Sequence, residues 1–65
     1  MKLKVEIKCL CFYMYLTMEA KAEGYVVQSH YRYYKDDEYE LSGERVFDSL
    51  DEANNEISNI INLYQ

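Results

Sequence analysis

The 65-residue chain has no proline, no tryptophan, two glycines, two cysteines and one histidine. Each scarcity excludes something. So few backbone breakers mean few elements, each fairly long. Gly24 and Gly43 stand alone, so there is no glycine-rich loop to cradle a phosphate. One histidine and two cysteines leave no Cys-x-x-Cys or His-Glu-x-x-His pairing on which to build a metal site. His30 lies between Ser29 and Tyr31 in a strand-like run. Adjacent strand residues point to opposite faces, so Ser29 and His30 cannot serve as nucleophile and base. We expect no catalytic residue, no metal and no cofactor.

Cys9 and Cys11 are two apart in an extended run. In a strand they share a face at a separation of about 6.6–6.8 Å, whereas the Cβ atoms of a disulfide lie about 3.5–4.5 Å apart. They read as reduced core residues, which suits a cytoplasmic protein. Lys2, Lys4 and Lys8, the apolar run 9–16 and Ala20-Lys21-Ala22 imitate a secretion signal. Glu6 interrupts the basic part, however, and Tyr13 and Tyr15 interrupt the apolar part. The same run is too short to cross a bilayer, so we expect no membrane contact.

What is present argues for folding. Hydrophobic residues make up 49% of the chain, with eight tyrosines and two phenylalanines, unlike a disordered composition. The length fits one domain, residues 1–65. A domain of this size buries only about 60% of the surface its unfolded chain exposes. Disulfides, metals or self-association usually supplement so small a core, and only the last is left here.

Along the chain, Leu3, Val5 and Ile7 alternate with Lys2, Lys4, Glu6 and Lys8, the period of a half-buried strand. From Cys9 to Leu16 both parities are apolar, so the strand continues with both faces covered. Met18–Glu23 is polar and Ala-rich, and Gly24 can supply the positive φ of a turn. Tyr25–Lys35 forms a second strand, Asp36-Asp37 a turn and Glu38–Phe47 a third strand. Ser42-Gly43 interrupts the third strand, either as a bulge or as a tight hairpin that makes a fourth short strand. Ser49-Leu50-Asp51-Glu52 matches a capping box. Leu50, Ala53, Ile57, Ile60, Ile61 and Tyr64 then follow helical spacing. The fold class expected is α+β: a three-stranded antiparallel sheet followed by one C-terminal helix packed on one face (βββα).

A helix of about fifteen residues is roughly 22 Å long and covers one face of such a sheet. The Leu3/Val5/Ile7 side is the natural partner of its Ile57/Ile60/Ile61 stripe. Leu10, Phe12, Met14 and Leu16 then lie on the open face, an apolar patch of the kind that marks an interface. This predicts a homodimer packed sheet on sheet, unless the sheet twists or loops fold over the patch.

Charge is distributed unevenly within a net of −5. Residues 1–35 hold six basic and three acidic groups, whereas residues 36–65 hold nine acidic groups and one basic, Arg45. With the whole chain acidic we expect no direct nucleic-acid contact, although the Tyr-rich second strand with Arg32 and Lys35 is the kind of surface that stacks single-stranded bases. On a regular third strand Glu38, Glu40 and Glu44 line one face while Tyr39 points away. The expected partner-binding surface is Tyr31, Tyr33, Tyr34, Asp36, Asp37, Glu38, Tyr39, Glu40 and Glu44. It is acidic and tyrosine-rich, and so suited to a protein partner with a basic surface.

In length, acidity, tyrosine content and the pattern of sheet followed by helix, the chain resembles the small single-domain proteins that phages and mobile elements encode to inhibit host nucleases or defence complexes, anti-CRISPR proteins among them. The resemblance implies an inhibitor acting in the host cytoplasm by occupying a partner's nucleic-acid-binding surface, in some members as a DNA mimic. It carries over no individual residue. The alternative is a self-associating structural, assembly or regulatory subunit of a phage or mobile element.

Overall fold

The first apolar run does not stay in one strand. In the computed structural model, which describes residues 2–64, it folds back on itself as a hairpin. Strand β1 covers Lys2–Lys8 and β2 covers Tyr13–Lys21. The Cys9 N–H donates to the Phe12 carbonyl at 3.0 Å and closes the hairpin, with Leu10 and Cys11 at its tip. Among the described residues, none other than glycine has positive φ. The turn therefore lacks the Asn-Gly or Gly-x signature of most two-residue hairpins, and nothing in its composition marks it as a turn.

Strand β3 covers Gly24–Arg32, β4 covers Glu40–Phe47 and helix α1 covers Leu50–Tyr64. The fold is α+β with a C-terminal helix, but the sheet has four strands, not three, in the antiparallel order β1-β2-β3-β4. Gly24 follows the Ala22-Glu23 turn at φ 133°, a conformation closed to most side chains. A Cβ there would lie 2.5 Å from the Phe47 carbonyl oxygen. In β4, Ser29 faces Gly43 and His30 faces Leu41, so Ser42 is the extra residue of a bulge. The Ser42 hydroxyl meets the Ser29 hydroxyl at 2.8 Å and donates to the Ser29 carbonyl at 3.2 Å. At the helix start, the Glu52 N–H donates to Ser49 Oγ at 3.2 Å. This is the first half of the capping box.

The hairpin decides what lies in the core. Leu3 pairs with Met18, Val5 with Leu16 and Ile7 with Met14. Directly opposed residues share a face, so odd positions of β1 lie beside even positions of β2. Val27 continues the same layer in β3. Helix α1 packs over this face through Ala53 and Ile57, with Ile60 and Ile61 beside them. Leu16 and Met18 are the most deeply buried large side chains, at 1% and 2% exposure.

The expected apolar patch is therefore corrected. Met14 and Leu16 are core residues beneath the helix, Phe12 is half-buried against them, and Leu10 is fully exposed at the hairpin tip. The four residues form no common open surface, and the sheet-on-sheet dimer loses the observation that suggested it. The cysteines also separate, Cys9 into the core and Cys11 into solvent, both as free thiols. Burial raises the Cys9 thiol pKa.

Candidate functional site

Residues 33–39 connect β3 to β4 and bring most of the expected partner-binding residues to one end of the sheet. The Asp37 N–H donates to the Tyr34 carbonyl at 3.0 Å and tightens the connection. Arg32 Nη1 donates to the Asp37 carbonyl at 3.2 Å. The Arg32 guanidinium also lies 4.5 Å from the centre of the Tyr39 ring, which pins the far end of the loop. Arg32 Nε is buried with no hydrogen-bond partner. Asp36, Asp37 and Glu38 stay exposed, as do Tyr33 and Tyr34.

Tyr31 and Glu40 face each other across β3 and β4. The Tyr31 hydroxyl donates to Glu40 Oε2 at 3.2 Å. That hydrogen bond and the carboxylate's charge raise the Tyr31 pKa, so the phenol stays protonated and orients the carboxylate. Tyr31, Tyr33, Asp37, Glu38, Tyr39 and Glu40, six of the nine expected residues, line one open cleft together with Arg32. Tyr34 and Asp36 flank it in the same loop.

Glu44 does not join them. It pairs with Gln28, whose Nε2 donates to Glu44 Oε2 at 3.1 Å on the open side of the sheet. The bulge at Ser42 adds one residue between Glu40 and Glu44, so the two carboxylates occupy opposite faces. Glu38 lies outside the strand, which begins at Glu40. The single acidic face expected from strand parity is not formed.

The side of the sheet away from the helix carries its own cluster. Tyr15 and His30 face each other across β2 and β3 and stack at 4.4 Å between centroids. Tyr39 meets Tyr15 edge-on at 4.6 Å, and the Lys4 ammonium lies 4.6 Å from the Tyr15 ring centre. Burial, then the charge of Lys4, lowers the His30 pKa. Cross-strand pairing places Lys2, Lys4, Lys8, Lys21 and Arg32 on this side with Glu6, Glu19 and Glu44. The outer face is thus locally basic on an acidic protein. Its rings pack on one another and are half-buried.

The sequence does not show that Phe12 and Tyr64 meet. Helical spacing places Tyr64 in the helix stripe and strand parity places Phe12 on the open face, yet they meet edge to face at 5.6 Å. Phe12 also contacts Tyr33 at 6.3 Å. No local pattern could join residues from a hairpin, a loop and a helix end. Among the described residues no group of three or more His, Cys, Asp or Glu is placed to hold a metal ion. No helix there is long and apolar enough to cross a membrane. Comparison of the chain with protein-family models, curated proteins and solved structures finds no match.

Proposed function

We propose that this protein is a binding module whose β3–β4 end docks on a basic surface of a partner protein and, by covering a nucleic-acid-binding site there, inhibits it. One observation carries the reading: Asp36, Asp37, Glu38 and Glu40 converge with Tyr31, Tyr33, Tyr34 and Tyr39 at one end of the sheet. Lys35 is the only basic residue within the loop. A concentrated negative field steers association with a positive partner, and tyrosine supplies contact area with little side-chain entropy to lose. The phage or mobile-element setting suggested by the chain's general character fits an inhibitor of this kind.

The test uses the chain as affinity bait in its native cell, beside an Asp36→Lys, Glu38→Lys variant. Both positions are exposed, and among the described residues neither side chain makes a hydrogen bond, so the fold is expected to survive the reversal. The wild type should recover a partner with a basic surface, and the variant should lose it. Equal recovery by both, or an acidic partner, overturns the reading.

A further inference from the structure

Phe12, Met14, Tyr31, Tyr33, Ser42 and Tyr64 line a recess of about 210 Å³ between the hairpin end of the sheet and the last turn of α1. We propose that this recess receives the guanidinium of one arginine side chain from the partner. The proposal rests on the basic-partner reading only for the owner of that arginine. The recess itself is argued from its walls.

The walls are aromatic and steeply inclined to one another. Phe12 meets Tyr64 at 83° and Tyr33 at 61°, and Tyr31 meets Tyr33 at 81°. Ring faces carry the negative part of the aromatic quadrupole, and a cation within about 6 Å of a ring centre is attracted to it. Two wall residues have negative neighbours: Tyr31 bonds a carboxylate, and Tyr64 belongs to the C-terminal turn of α1. The Glu40 carboxylate is held by the hydroxyl of Tyr31, a wall residue. Tyr64 is the last residue of α1, and no basic side chain lies in that last turn. The carbonyl end of a helix carries roughly half a negative elementary charge.

Three of the chain's seven Lys and Arg residues lie over other rings. Lys4 lies over Tyr15, Arg32 over Tyr39 and Tyr13, and Arg45 over Phe47. Among the described residues no such cation lies over Phe12, Tyr31, Tyr33 or Tyr64, and no lining residue is basic. The volume falls below the roughly 300–1,000 Å³ typical of small-molecule sites, which suits one side chain better than a free metabolite. Arginine fits better than lysine because its planar guanidinium stacks on rings, forks to carboxylate oxygens and is more weakly hydrated than an ammonium.

The full chain with ¹³C-labelled phenylalanine gives two ring systems, Phe12 and Phe47, and Phe47 lies outside the recess as an internal reference. The probes are N-acetyl-arginine methylamide and its citrulline counterpart, which replaces the guanidinium with a neutral ureido group. The arginine probe should shift the Phe12 signals saturably and leave Phe47 in place, with the citrulline probe about tenfold weaker. Tyr33→Ala should weaken arginine binding by about tenfold. Tyr33 is 60% exposed, so the fold should persist, and unchanged Phe47 signals check this. Equal response to both probes, an unshifted Phe12, or undiminished binding in a folded Tyr33→Ala variant overturns the proposal. No partner is needed, so a failed titration with a successful affinity capture removes only the recess. The converse removes only the basic-partner reading.

Discussion

Leu10 and Leu16 share parity in the sequence but have opposite environments, and replacing each by alanine separates two accounts of the molecule. Leu16 is 1% exposed, in the core cluster with Val5 and Ile7 of β1 and with Ala53 and Ile57 of the helix. Leu→Ala in a core costs about 2–5 kcal/mol, depending on how far the site can collapse. Here two hydrogen-bonded strands and a close-packed alanine, itself 0% exposed, resist collapse. A value of about 3–4 kcal/mol is expected. A chain of this length has roughly 3–10 kcal/mol in total, so Leu16→Ala should remove a large fraction of it. Leu10 is fully exposed at the hairpin tip. Its replacement should change stability by no more than about 0.5 kcal/mol. Urea unfolding followed by circular dichroism reads both. With a slope of about 1 kcal/mol per molar urea, the Leu16→Ala midpoint falls by about 3 M, whereas that of Leu10→Ala hardly moves. If Leu10 and Leu16 formed one dimer face, both variants would lose stability and the midpoint would depend on protein concentration. Comparable losses at the two positions, or such a concentration dependence, would refute the hairpin core.

Three other outcomes follow from particular contacts. Gly24→Ala should cost more than about 1 kcal/mol, because its φ of 133° and the Phe47 oxygen 2.5 Å from a new Cβ both oppose a side chain; an unchanged thermal midpoint would contradict the tight turn. Ser49→Ala should cost about 1 kcal/mol through loss of the cap, with Ser49→Asp retaining most of it, and the two melting curves should differ accordingly. His30 should titrate by NMR below the ordinary value of 6.5, and Lys4→Met should raise it only part of the way back, since burial is the larger cause. The unfolded chain takes up that proton first as pH falls, so this contribution to stability is intact above 6.5 and is lost on the way down to the folded pKa. A His30 pKa at or above 6.5 would contradict the stacked cluster.

Much of the local structure was legible in the residues. Ser49 and the acidic first turn mark the helix start, and Ala53, Ile57, Ile60 and Ile61 mark its buried stripe. The alternation of Lys2–Lys8 identifies β1, and Gly24 identifies the turn that its φ requires. The pull of Asp36, Asp37, Glu38 and the neighbouring tyrosines toward one end of the sheet was also legible, because they are close in sequence and one loop holds them. The hairpin at Leu10-Cys11 was not. Its tip has neither glycine nor asparagine, and its flanks are as apolar as a continuous buried strand.

Composition and periodicity alone determined the helix, the strand character of the chain and the concentration of negative charge after residue 35, because each depends on neighbours a few residues apart. Tertiary pairing decided which faces those residues share. Strand side chains alternate with period two, so one tight turn placed Met14 and Leu16 beside Val5 and Ile7, and one bulged residue sent Glu40 and Glu44 to opposite sides. The meeting of Phe12, Tyr33 and Tyr64 was settled at the same level, since only the packed sheet and helix bring a hairpin, a loop and a helix end within contact.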